Sequence, residues 1–215
     1  MIPAVITAAD DALPLARADA DAEAERIIRT EPISCAVGCS ACCVQAVPVR
    51  PAEVRSTRRH IDTLADDERA VIEQRIHDAV ARLRSAGLTG PPTDRVERRE
   101  MVERYFNTGV ECPFLTDDGR CGIRPVRPLA CREYLVASDP THCGTYEGAV
   151  VRIRSARDPL MRFAKVSRAL GETDSGWLAF AIAGPIPPAP EHAPVSPIQV
   201  TQAISAQRRP SPRAN

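Results

Sequence analysis

Eight cysteines in two blocks constrain this chain more than any other feature. Cys35, Cys39, Cys42 and Cys43 fall inside one nine-residue stretch, and Cys112, Cys121, Cys131 and Cys143 follow in a second, wider block. Gly38 sits inside the first block, where a positive-φ turn would bring neighbouring sulfurs toward one centre. Thiolates at this density select soft metals: zinc, copper(I) or iron–sulfur centres. Cys39 and Cys42 have the two-residue spacing of a zinc knuckle, with Cys35 or Cys43 to complete a set. The second block is spaced more widely, so its ligands come from separate local elements.

Eight thiols fit two mononuclear sites, one polynuclear site, or one cluster with redox-active cysteines beside it. Adjacent Cys42 and Cys43 are awkward for one tetrahedral ion, because neighbouring side chains diverge in ordinary backbone. Disulfides are the weaker reading, since adjacent cysteines rarely bridge and a reducing compartment is expected. Cys35, Cys39 and Cys42 also have the spacing of a radical-SAM cluster loop. Ala41 stands where an aromatic is usual, and helices follow instead of alternating strands and helices, so that reading is set aside.

Length and charge narrow the classes. At 215 residues the chain suits one domain of moderate size with a loose appendage. Basic and acidic residues balance at 28 each, and aromatics make up only 4%. Neither nucleic acid nor a membrane surface is an expected partner. Asp10, Asp11 and Asp19 interrupt the first twenty residues, so no signal peptide or spanning helix is expected, and a cytoplasmic location is.

The pattern predicts a mainly α fold: a helical domain with a cysteine-rich, metal-bound loop region and a small β hairpin. Residues 1–30 read as an acidic helix or flexible arm, with a thin apolar stripe. Residues 31–183 read as the cysteine-cluster domain, carrying a helical insert over 51–107. Residues 184–215 read as a disordered, Pro-rich tail. Within the insert, Val54, Thr57, Ile61 and Leu64 recur at helical spacing after Pro51. Ile72, Ile76, Ala79, Val80 and Leu83 line a second helix that Gly87 stops, making a helical hairpin. A third helix opens at Asp94 and Glu97, with Val96, Val102, Tyr105 and Phe106 as its buried side. The Asp118-Gly119 turn predicts two short strands presenting Cys112 and Cys121 to one ion. A last helix runs from Pro159 to about Leu170, capped by Asp158 and stopped by Gly171.

The order Cys35…Cys39-x-x-Cys42-Cys43, then Cys112-Pro-Phe-Leu, Cys121-x-Ile and Arg127-Pro-x-x-Cys131-Arg132-x-Tyr134 resembles the YkgJ-type CxxCxxCC cysteine-cluster proteins. The resemblance covers about Cys35 to Gly148. It implies a zinc- or iron-chelating domain; on the reading of the residues themselves all eight cysteines are candidate ligands. The opening spacing departs from the family name by one residue, three between Cys35 and Cys39. Flagellin lysine N-methylases are similar to this family and are expected to use an iron–sulfur centre; no glycine-rich nucleotide loop accompanies the cysteines here.

Three functions remain open. The first is a zinc or iron chelator whose metal is structural, stored or delivered. The second is an iron–sulfur protein with redox or methylase-like activity. The third is a metal-stapled module that offers Arg55, Arg58 and Arg59 to a protein partner. The cofactor is thus zinc or iron, mononuclear or as an iron–sulfur cluster. His142 is a minor ligand candidate, and His60 and His77 read as ordinary helix residues. Arg127 and Arg132 could neutralise a thiolate centre or pair at the surface. Glu53 reads as a helix cap, and Tyr134 as a packing residue.

Overall fold

A computed structural model of the chain describes residues 8–91, 95–172 and 176–187. Helix α1 (Ala8–Thr30) leads into the first cysteine block, which ends in a 3₁₀ turn over Ala41–Val44. Strand β1 (Pro48–Val49) is followed by α2 (Pro51–Asp62), α3 (Asp66–Ser85) and α4 (Arg95–Asn107). The second block then carries a 3₁₀ turn (Arg124–Val126), the short α5 (Leu129–Arg132), β2 (Leu135–Val136) and another 3₁₀ turn (Pro140–Gly144). Strand β3 (Arg152–Ile153), α6 (Pro159–Ala169), β4 (Gly176–Trp177) and α7 (Leu178–Ala183) complete the order. β1 pairs antiparallel with β4, and β2 with β3, each over two residues. The mainly α expectation is therefore met. Among the described residues no helix is long and apolar enough to cross a membrane.

The acidic N-terminal segment is docked, not free. Ala9, Ala12, Leu13, Ala16 and Ala20 are buried against Ala52, Leu129, Phe163 and Val166. Its stripe looked thin in sequence because alanine contributes little to an apolar count. Alanine's small size is what lets α1 lie close against α2, α5 and α6. Two further clusters fill the molecule. Val54 and Ile61 of α2 meet Ile76 of α3, Ile182 of α7, and Phe114 and Ile123 of the second block. Leu83, Met101, Tyr105 and Trp177 centre the third, with the Tyr105 and Trp177 rings edge-on at 5.3 Å.

Helix ends follow local chemistry. Gly87, at φ +76°, stops α3, and the Leu88 amide returns to the Leu83 carbonyl at 3.0 Å, a Schellman closure. Asp158 caps α6 through its carboxylate and Met161 N–H at 3.3 Å, and Gly171 at φ +80° ends it. The expected buried side of α4 needs correction. Val96 is 69% exposed, whereas Met101 and Tyr105 are buried. The proposed cap Asp94 lies outside the described residues, as do residues 188–215 of the expected disordered tail.

The turn at Asp118-Gly119 forms, but the strands around it shrink to one bridge between Leu115 and Cys121. Pro113 has no N–H to donate, and Leu115 N–H turns back onto the Cys112 carbonyl at 3.0 Å. The regular strand pairs lie elsewhere, in β1–β4 and β2–β3.

Buried charges lock the helices together. Arg55 is buried and pairs with Asp10 of α1 at 2.9 Å and with Glu172 beyond α6. Arg59 also reaches Asp10, at 2.8 Å. Arg58 pairs with Glu73 of α3 at 2.5 Å and donates to the Ile182 carbonyl. Of the arginines expected to form a partner-binding face, Arg55 is buried, while Arg58 and Arg59 pair inside the chain and stay partly exposed.

Glu53 is the other buried anchor. One carboxylate oxygen accepts from Arg50 N–H at 2.9 Å and caps α2. The other accepts from Leu129 N–H at 2.8 Å and fixes the start of α5.

Replacing Arg55 with Ala leaves Asp10 and Glu172 buried with less compensation. The expected loss is about 3–5 kcal/mol, read as a shift in the urea unfolding midpoint. Glu53→Ala removes the acceptor for two amides, at on the order of 1–3 kcal/mol for each amide left unpaired. Glu53→Gln keeps an acceptor and should fall between Glu53→Ala and the parent in the same titration.

Candidate metal centre

The first block is built by a turn and a tight helix. Ser34 anchors it to the second block, its N–H on the Val136 carbonyl at 2.8 Å and its hydroxyl on the Ala137 carbonyl at 2.9 Å. Gly38, at φ +87°, reverses the chain between Cys35 and Cys39. The Cys43 amide then bonds the Ser40 carbonyl at 2.8 Å, opening the 3₁₀ turn that holds Cys42 and Cys43.

The second block brings its four thiols from four local elements, Cys143 from the 3₁₀ turn Pro140–Gly144. Cys112 follows α4 and donates its N–H to the Cys43 carbonyl at 2.6 Å. Cys121 stands at the bridge with Leu115. Cys131 lies within α5, the turn whose first amide Glu53 holds. Gly119, at φ +78°, places the tip of the second block against the first: a Cβ there would sit 3.1 Å from the Gly38 carbonyl oxygen.

Six of the eight cysteines line one cavity of about 370 Å³: Cys39, Cys42, Cys43, Cys112, Cys121 and Cys131. Arg120, Arg124 and Arg127 also line it, and among the described residues no Asp or Glu does. Cys35 and Cys143 lie outside this wall but near its Cys39–Cys42 end, since the charges of Cys39 and Cys42 bear on both. Cys143 is buried; its carbonyl accepts from the Gln45 amide at 3.1 Å, and its thiol is hydrogen-bonded to Tyr134. All eight cysteines are free thiols. Among the described residues no three His, Cys, Asp or Glu side chains already converge in metal-holding geometry.

The thiols perturb one another strongly. Cys42 is pulled down to about 6, first by its hydrogen bond with Cys43 and also by the positive charge of Arg127. Cys43, the donor in that bond, is pushed up, and its burial adds to the effect. The expectation that Cys42 and Cys43 diverge is not met. Their side chains bond each other, and both line the cavity. A 3₁₀ turn has three residues per turn and does not alternate faces as a strand does. Burial pushes Cys112 up to about 12 and raises Cys131 further still. Several thiolates at such a site are unfavourable without a cation, and a bound metal reverses that preference.

The remaining candidates separate cleanly. Arg127 lines the cavity and donates to the Cys131 carbonyl. Arg132 points elsewhere. It pairs with Asp21 of α1 at 2.5 Å and donates to the carbonyls of Arg127, Arg124 and Pro125 at 2.9–3.1 Å, so it holds the turn and not the thiols. His142 places Nδ1 against the Ala149 carbonyl at 3.2 Å. His60 and His77 sit on α2 and α3, away from the cavity lining. Tyr134 does more than pack: it contacts the Cys143 thiol and Gln45, with the Arg152 guanidinium 4.6 Å from its ring centre. Its place three residues after Cys131 was the available signal.

A family model matches residues 34–148, from just before Cys35 to just beyond Cys143. No curated protein and no solved structure matches the chain. The match spans more than half of the sequence and includes all eight cysteines. The chain belongs to the CxxCxxCC family, described as a "putative zinc- or iron-chelating domain".

Proposed function

We propose that this protein chelates zinc or iron at the seam between its two cysteine blocks. Cys39, Cys42, Cys43, Cys112, Cys121 and Cys131 supply the ligands from the cavity wall. Cys35 and Cys143 stand beside them, within reach of the Cys39–Cys42 end. The observation that carries this reading is one cavity lined by six thiols drawn from both blocks. Soft thiolate donors suit zinc and iron–sulfur chemistry and disfavour magnesium or calcium. Arg127 offsets part of the negative charge such a centre would carry.

The metal's role in this reading is structural, or one of storage and delivery, in a reducing cytoplasm where thiols persist. Residues 31–183 form the chelating domain, 51–107 are its helical insert, and 1–30 and 184–215 flank it. A second reading, an iron–sulfur centre with redox or methylase-like activity, draws on the same cavity. Six thiols exceed the four that one tetrahedral ion takes, so a polynuclear centre also fits.

Elemental analysis and an absorption spectrum of anaerobically purified protein test both readings. Stoichiometric zinc in a colourless sample supports the first; iron with sulfide, and colour that bleaches on reduction, supports the second. Protein free of both metals overturns chelation. Cys112→Ser and Cys131→Ser should each lose at least half of the bound metal. Stripping the metal should unfold the cysteine region, because structural metal binding can supply on the order of 10 kcal/mol of folding energy. A stripped chain with native helix content and an unchanged thermal melt would count against that coupling.

A further inference from the structure

The thiol cavity is much larger than an ion requires. A water-sized occupant needs only about 10–15 Å³ of such volume, whereas this cavity offers about 370 Å³. That lies within the roughly 300–1,000 Å³ of small-molecule sites. Beyond the sulfurs its wall has two parts. Val37, Val47, Ile123 and Leu178 provide an apolar side, and Val37 is 85% exposed. Arg120, Arg124 and Arg127 also line the cavity, with no Asp or Glu among the described lining residues.

The three arginines are not equivalent. Arg127 is held inward by the Cys131 carbonyl, and its charge bears on Cys35, Cys42, Cys112 and Cys131. Arg127 therefore belongs with the metal centre. Arg120 faces Asp118 at 3.2 Å, with both side chains well exposed, a pairing that water screens and a ligand could displace. Arg124 stands on the 3₁₀ turn after Ile123, and its side chain makes no hydrogen bond or ion pair among the described residues. Two guanidinium groups beside an apolar wall match an anionic head on an apolar body. Arginine is well suited to that head, because its fork binds a carboxylate through two parallel hydrogen bonds.

We propose that the cavity binds a small organic carboxylate next to the chelated metal, its head on Arg120 and Arg124 and its apolar body against Val37, Val47 and Leu178. This inference rests on the chelation reading but not on which metal is bound. It makes the centre a place where metal and an organic ligand meet, not a closed structural staple.

The test is calorimetric titration of the metal-loaded full chain with hexanoate, hexan-1-ol and hexylammonium, with metal content measured on the same samples. Hexanoate should bind at least tenfold tighter than the neutral and cationic probes. The double variant Arg120→Ala/Arg124→Ala should lower hexanoate affinity at least tenfold and keep the parent's metal content. Equal binding of hexanoate and hexan-1-ol would overturn the proposal, as would unchanged affinity in the variant. Binding confined to metal-stripped protein would overturn it too, because the metal centre would then fill the cavity. Metal loss in the double variant would assign these arginines to thiolate charge instead. Failure of the chelation reading is read separately, from parent protein that carries no metal.

Discussion

The backbone hydrogen bond from Cys112 N–H to the Cys43 carbonyl at 2.6 Å joins the two cysteine blocks, beside the Ser34 bonds to the Val136 and Ala137 carbonyls, and the site depends on that junction. The bond could not close it unaided. Bringing the ends of so long an intervening segment together costs roughly 4 kcal/mol in loop entropy, while a net hydrogen bond returns only about 0.5–1.5 kcal/mol. The difference is met by the insert. α2 and α3 fold back on each other, and Ile61 and Ile76 pack with Phe114 and Ile123 of the second block. The helices thus act as the clamp that holds Cys43 and Cys112 adjacent.

Charge finishes what apolar packing begins. Glu53 ties the start of α2 to the start of α5, so the residue ten positions after Cys43 also sets where Cys131 sits. Arg132 does the same from the other side, fixing the Arg124–Arg127 turn to Asp21 of α1. Arg55 and Arg59 bind α1 to α2 through Asp10. Ion pairs of this kind, buried or partly exposed, add little net stability. Their worth here is positional, since each one sets the register of an element that carries a thiol or backs one.

Much of this was legible in the sequence where the chemistry is local. Pro51, Gly87, Asp158 and Gly171 mark helix ends that depend only on neighbouring residues, and all four act as expected. The cysteine spacing pointed to the metal family before any fold was known. What failed was non-local. The docking of α1 was hidden because an alanine stripe is apolar only when a partner fits it closely. Arg55, Arg58 and Arg59 looked like a free basic face because their carboxylates lie on α1, α3 and the segment after α6. The hairpin at Cys112–Cys121 shrank because Pro113 and the Leu115–Cys112 bond set the local backbone against a ladder.

The arrangement of thiols carries its own consequence for folding. Cys112 and Cys131 resist ionising because they are buried, and each is raised further by the other sulfurs around it. Cys42 escapes that penalty only because Cys43 donates to it and Arg127 lies near. Arg127 bears on Cys42, Cys112 and Cys131 together, and one arginine does not offset three thiolates. In the proposed chelation, a metal ion supplies the missing positive charge where the two blocks meet. The same ion that satisfies the sulfurs therefore also rewards the chain for closing the seam. On the proposed chelation, folding of this region is linked to metal binding, while the packing of the helical insert offsets part of the entropy of closure.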